Sequence, residues 1–195
     1  MKKSIWGEGD KITLSTLRKL KPRGVWLDLA SGDGRYAPVL LKTVDSLIAA
    51  DKDKKALRIL KARAGKKKPL IKHLDITKKL PFRDSSFDGV FCAGTLHLFT
   101  PKILSGIFSQ INRTLRPGGM LVFDFAVDIK RQYTKPGAKK EKSLYSYKEA
   151  RKLILKNLKS YRISISKSRF LDDLSKMPGY SRITKGIFLL IVGKK

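Results

Sequence analysis

The stretch "LDLASGDGRYAP", Leu27–Pro38, decides the fold. It continues the apolar run "VWLDLA" (25–30), and Gly32-Asp33-Gly34-Arg35-Tyr36-Ala37 then fits the spacing G-x-G-x-x-A. A short buried strand that breaks into a glycine turn and opens a helix begins a βαβ unit, and the turn brings backbone N–H groups close to a ligand. In the diphosphate-binding version of this loop the strand is apolar, because a carboxylate beside the diphosphate would repel it. Here Asp28 stands in the strand four residues before Gly32, and Asp33 lies between the two glycines. Two acids argue against a nucleotide diphosphate and suit a ligand whose near end carries an ammonium group.

Outward from this loop, short apolar runs alternate with amphipathic segments. Strands are expected at "VWLDLA" (25–30), "SLIAAD" (46–51), "LIKHLDI" (70–76), "SFDGVFCAG" (86–94) and "MLVFDFAV" (120–127). Helical patterns lie between most of them, clearest at 101–116, where Thr100 is placed to cap and Pro101 fits the first turn. Ile103, Leu104, Ile107, Phe108, Ile111 and Leu115 recur there on one face. A further helix over 147–159 starts with the capping box Ser146/Glu149 and presents Ala150, Leu153, Ile154 and Leu158 as its buried stripe. Two more strands, "SYRISIS" (160–166) and "GIFLLIVG" (186–193), are separated by the loop "RFLDDLSKMPGYSR". The expectation is an α/β fold: a mostly parallel seven-stranded sheet with helices on both faces and one antiparallel C-terminal strand. The chain divides into an N-terminal helical extension (1–23), a ligand-binding core (24–127) and a basic segment with the last strands (128–195), all within a single domain.

Composition narrows the function. The chain has 195 residues and one cysteine, Cys92, so a disulfide framework and a Cys-based metal cluster are both excluded; His73 and His97 lack metal-ligand spacing, and no metal is expected. His73 and Cys92 fall in strands and are read as core. The N-terminus has no apolar run of signal-peptide length, and nothing approaches a membrane span, so a cytoplasmic protein with no membrane contact is expected. The formal charge is +28, from 44 Lys and Arg against 16 Asp and Glu. Glutamate occurs only at 8, 141 and 149, so the lysines are not matched into ion-pair networks. Residues 52–79 and 130–169 carry net charges of +10 and +12 and are read as one face that tracks a polyanion.

Four stretches in order resemble the class I S-adenosylmethionine (SAM)-dependent methyltransferases, in particular the type 11 branch: "VWLDLASGDGRYA", "LIAADKD", "HLDITKKLPFRDSSFDGVFCAGTLHLF" and "INRTLRPGGMLVFDF". The resemblance covers roughly 24–127 and implies a Rossmann-like methyltransferase fold, SAM as methyl donor and S-adenosylhomocysteine (SAH) as product. It assigns Asp28 to the ammonium end of the cofactor, and Ala30, Ser31, Gly32 and Gly34 to close backbone approach. Ala30 departs from the family, which has glycine there, and a slightly tighter ligand approach is expected. Asp51 falls where a carboxylate accepts both ribose hydroxyls, with Lys52 beside it; NAD enzymes use the same position. Asp75 and Ile76 resemble the pair at the adenine, and Ala93, in the motif "CAGTLHLF" that faces the reacting methyl, is also assigned to cofactor binding. An acid at a strand end also serves simply to cap the next helix, and this reading stays open for Asp51 and Asp75.

"CAGTLHLF" lacks the N-P-P-Y or D-P-P-Y signature of exocyclic-amine methylation, which argues against adenine-N6 chemistry. His97 is the candidate catalytic residue, a base for a hydroxyl or ring nitrogen, with a packing role as its alternative. For the acceptor, Lys148, Arg151, Lys152 and Lys156 lie off the apolar stripe of 147–159, and Tyr133, Tyr145, Tyr147 and Tyr161 are interleaved with basic residues. Basic side chains with aromatic rings form a general recipe for RNA binding. "GDGRY" and "LPFRDSSFD" are similar to enzymes acting on tRNA wobble uridines and equally to quinone-biosynthesis methylases. A methyltransferase acting on RNA (tRNA or rRNA) is therefore weighed against one acting on a small molecule and against a non-catalytic cofactor and RNA-binding module. A small activating subunit, as some tRNA methyltransferases use, is compatible with the resemblance and specified by no residue here.

Overall fold

The computed structural model describes residues 10–65, 67–134, 143–173, 175 and 182–195. Strands β1 (Val25–Leu29), β2 (Ser46–Asp51), β3 (Leu70–His73), β4 (Phe87–Cys92), β5 (Leu115–Tyr133), β6 (Arg162–Asp173) and β7 (Arg182–Lys194) form one sheet in the order β3-β2-β1-β4-β5-β7-β6. β3 through β5 pair in parallel, and β7 runs antiparallel to both of its neighbours. Because β1 lies between β2 and β4, the crossovers leave it in opposite directions, which opens a crevice at the carboxyl ends of these strands.

Helices cover both faces. α1 (Lys11–Leu20) and α2 (Ala37–Leu40) bury Leu17, Ala37 and Leu40 with Trp26, Phe91, Val122 and Leu190. α3 (Lys54–Arg63) packs against β2 and β3, with Leu60 directly beneath Gly34. On the other face α4 (Pro101–Thr114) and α5 (Tyr147–Asn157) bury Leu104, Ile107, Phe108, Ile111, Ala150 and Ile154 against Phe123, Phe125 and Leu189. Each such aliphatic side chain stabilises the fold by about 1.5–3 kcal/mol on leaving water. Gly89 in β4 is required by packing alone, since a Cβ there would stand 2.1 Å from the Trp26 ring.

Several local expectations are corrected. β3 stops at His73, where the Leu74 N–H turns to the Asp51 carbonyl. His73 is exposed, its Nε2 3.0 Å from the Lys52 carbonyl, and is not a core residue; Cys92 is fully buried. Thr100 makes no side-chain cap on α4, and Ile103 is 40% exposed, on the flank of the apolar stripe. The capping box forms: the Ser146 hydroxyl accepts from Glu149 N, and the Glu149 carboxylate from Ser146 N. β5 and β6 are much longer than the apolar runs that announce them, and "RFLDD" belongs to β6 rather than to a loop. Tyr145 and Tyr161 are buried, with hydroxyls bonded to the Phe99 carbonyl and the Asn112 side chain. They are core residues rather than stacking platforms. Finally, 52–79 and 130–169 do not form one continuous face: α3 and β3 lie at one edge of the sheet, α5 packs on α4 and β5, and β6 is the opposite edge, about six strand spacings or ~29 Å from β3.

Candidate active site

At the crevice lies a cavity of about 720 Å³. One end is the glycine loop. The chain leaves β1 through Ala30, Gly32 and Gly34, all with positive φ (60°, 54° and 77°). Glycine takes this conformation freely; alanine at 30 costs about 1 kcal/mol. At Gly34 packing adds a second reason, because a Cβ would meet Leu60 at 2.6 Å. Gly32 faces open space, where a ligand can come against the backbone.

Asp51 fixes this loop. One carboxylate oxygen accepts the Gly32 N–H at 2.8 Å and the other accepts Asp53 N at 2.8 Å, while the cap of α3 is supplied by Asp53 itself. Each Asp51 oxygen keeps a second lone pair for the cavity. Asp28 is buried at the cavity floor and accepts no hydrogen bond from a described residue. Burial, then the nearby Asp51, pushes its carboxyl up to about 7. A buried carboxylate without a partner, next to another acid, is the donor set that an ammonium or sulfonium cation would satisfy. Ser31 Oγ is likewise buried and unbonded at this end.

Ala93, Gly94, Thr95, His97 and Leu98 form the wall after β4. His97 is held edge-on to Phe125, its Nδ1 buried without a partner, and burial with the nearby Arg131 lowers it to about 4. It is neutral at physiological pH. Lys52, Asp75 and Ile76 do not line the cavity: Asp75 accepts from Thr77 N and Oγ1, and Ile76 is packed in the core. Tyr147, Lys148, Arg151, Lys152 and Lys156 also lie outside it. Tyr147 is half-buried with Lys167 Nζ 4.5 Å above its ring, and the four basic residues of α5 are exposed.

The far half of the cavity is built from residues that the motif reading did not single out. Asp124 is buried on β5 and accepts Gly94 N at 2.7 Å; burial raises its carboxyl to about 7, against the lowering by that N–H and by Arg35. The Tyr36 hydroxyl accepts Asp10 N at 3.0 Å, joining the glycine loop to the residue that caps α1. A bulge between Val127 and Lys130 then reverses the side-chain alternation of β5, so that Arg131 comes opposite Thr184 of β7, itself opposite Asp172 of β6. Without the bulge Lys130 would face the cavity and Arg131 would face away. Phe170 and Phe188 complete this half, with Phe170 lying across Gly186.

Residues 27–123 match the family model described as a methyltransferase domain. An uncharacterized methyltransferase of Synechocystis sp. is 32% identical over 106 residues, 54% of this chain and 47% of that protein, so the chain spans about half the length of the curated relative it matches. Among solved structures, a SAM-dependent methyltransferase of Methanosarcina mazei superposes with TM-score 0.67 at 19% identity, covering 96% of this chain and 98% of that one. The DhpI–SAH complex superposes with TM-score 0.64 at 20% identity, covering 92% and 80%. Domain match and strand order agree: residues 27–123 place the chain in the methyltransferase-domain family, and its fold is that of the solved SAM-dependent methyltransferases.

Proposed function

We propose that the chain transfers a methyl group from SAM to RNA. SAM, when bound, supplies a methyl carbon already activated by its sulfonium sulfur, so the protein's work is to hold and align. Asp28 meets the ammonium end, the 30–34 backbone lies along the amino-acid and ribose portions, and the remaining lone pairs of Asp51 take the ribose hydroxyls. In this reading the adenine extends past the cavity toward Lys52, Asp75 and Ile76. His97 stays within reach of the reacting centre as a neutral ring.

One observation carries the choice of acceptor: the exposed face of α5 holds Lys148, Arg151, Lys152 and Lys156, none of which forms an ion pair with a described residue. Phosphates neutralise such a surface and release their counterions, which favours binding of a nucleic-acid backbone. The small-molecule reading is favoured instead by the distance of α5 from the cavity lining. Incubating the protein with methyl-labelled SAM and, separately, bulk RNA, cytosolic protein and metabolite extract tests both. Label in RNA is expected; label in metabolites alone would select the other acceptor class.

A further inference from the structure

We infer that the acceptor enters as a nitrogen heterocycle seated on β5, β7 and β6, and that Asp124 accepts the proton released when its N–H nitrogen is methylated. This rests on the RNA reading only for the source of the ring.

Asp124 is in the right place. Carried two residues past the pair Asp28↔Phe91 and one past Cys92↔Phe123, the registers bring Ala30, Ala93 and Asp124 level across β1, β4 and β5. The first two line the cofactor end of the cavity, and Asp124 stands one strand further on. One of its oxygens is held by Gly94 N, which fixes the carboxylate, and the other makes no bond to a described residue. The charged and titratable groups that act on it are Asp10 at the cap of α1, Arg35 and Tyr36 of the glycine loop and, through the sheet, the core thiol of Cys92, while Asp28 lines the same cavity from β1. Arg182 and Asp172 face it from β7 and β6 across the cavity. A carboxyl at about 7 in these surroundings exchanges a proton at physiological pH far better than His97 at about 4.

The floor beyond Asp124 suits a flat ring. Gly186 has no side chain, and Phe170 lies across it, its ring within 3.1 Å of where a Cβ would stand. Thr184, 8% exposed, has an Oγ1 without a partner, placed in the row Arg131–Thr184–Asp172 that crosses the three strands. An apolar ring face below, an orphaned hydroxyl and carboxylates at the edges match a heterocycle that presents N–H groups. In the step, the N–CH₃ bond forms as the C–S bond of the sulfonium breaks. The sulfur keeps that electron pair as a thioether, and the N–H proton passes to Asp124; the cation and the carboxylate are both neutralised, and nothing is oxidised or reduced.

The test compares wild type, Asp124→Asn, Phe170→Ala and His97→Ala with methyl-labelled SAM and whichever cell fraction takes up label, with SAH affinity by calorimetry as the check on folding. Asp124→Asn should lower turnover by roughly 10²-fold or more, keep SAH affinity within about threefold, and, at saturating SAM so that the Asp28 dependence of cofactor binding drops out, abolish the limb of the kcat–pH profile that rises through about pH 7. Asp124→Ala supplies a second reading, because formate small enough to enter the vacated space should restore turnover about tenfold or more. Phe170→Ala should raise the acceptor KM by roughly tenfold with less change in kcat, and the labelled product should carry its methyl on nitrogen. Retention of the pH limb in Asp124→Asn, its loss in His97→Ala instead, or label on oxygen or carbon would overturn the proposal. The two readings fail separately: label in metabolites with Asp124→Asn inactive removes RNA and keeps Asp124, whereas label in RNA with Asp124→Asn active does the reverse.

Discussion

The cavity and the exterior of this protein carry opposite charge. Six of the sixteen acidic residues line the cavity among the described residues (Asp10, Asp28, Asp33, Asp51, Asp124 and Asp172), together with three of the forty-four basic ones (Arg35, Arg131 and Arg182). The cavity therefore has a formal charge of −3, and the remaining ten acids and forty-one bases leave +31 elsewhere. The difference separates two tasks. A cationic cofactor is drawn inward, whereas a polyanion is drawn to the outside and can send only an uncharged part of itself into the crevice.

Breaking the inner half should have the largest effect. Asp51→Ala removes a ribose partner and the anchor of Gly32 together, so SAM affinity measured by calorimetry should fall by about 1–3 kcal/mol, up to roughly 10²-fold. Undiminished affinity would remove Asp51 from the site, and tight NAD binding would contradict the cationic-ligand reading. The outer half is tested by removing charge at Arg151, Lys152 and Lys156 together. For single-stranded RNA the slope of log K against log salt should become shallower by about 2, equivalent to tens-fold in affinity near 0.15 M salt, with SAM binding unchanged. An unaltered slope would place the RNA backbone elsewhere.

A pH titration sharpens the inner half. With Asp28 at about 7, only about one molecule in ten is ionised there at pH 6, so SAM should bind roughly tenfold more weakly at pH 6 than at pH 8. Asp28→Asn should flatten that dependence. Stability of the ligand-free protein follows the same groups. Asp28 and Asp124 have folded values raised above 3.8, so each contributes most below pH 4 and loses its contribution as pH rises to about 7. His97, lowered from 6.5 to about 4, opposes them, its contribution being lost as pH falls through that window. Two carboxyls against one imidazole give a net fall in thermal midpoint between about pH 5 and pH 7.5; a midpoint that rises instead would refute the assignment. The smallest effect belongs to Ala30→Gly, which relieves the positive φ and should raise stability by about 0.5–1 kcal/mol, readable in urea unfolding.

The parallel half of the sheet was legible because its strands are short apolar runs with a glycine turn or an acid close behind several of them, and Asp28 stood out as a carboxylate within a buried strand, whereas Asp51 combines its place at the cavity with a structural task, anchoring the Gly32 and Asp53 N–H groups. The same reasoning applies to Asp124 in "VFDFA", a lone acid in an apolar strand, although no glycine motif draws attention to it. The far half of the cavity was not legible. β5 and β6 run on through Lys-, Arg- and Asp-rich sequence because hydrogen bonding to β7, rather than apolar content, extends them. The bulge that turns Arg131 inward is one residue of register, which no periodicity reveals. The tyrosines of the basic segment are hidden from sequence for a related reason: composition shows that Tyr145 and Tyr161 are amphipathic, and only tertiary packing shows that Phe99 and Asn112 take their hydroxyls.

β6 has a further consequence, for the behaviour of the protein in concentrated solution. It is the outermost strand, twelve residues long, and one side of its backbone is unpaired within the described sheet. Such an edge invites a second copy to add itself and extend the ladder. Arg162, Lys167 and Arg169 are exposed along it, and two copies aligned there would bring cations against cations before any main-chain bond could close. The charge proposed to recruit RNA would thus also keep the molecules apart, and on that proposal added salt, by screening it, would weaken RNA capture and the barrier to self-association together.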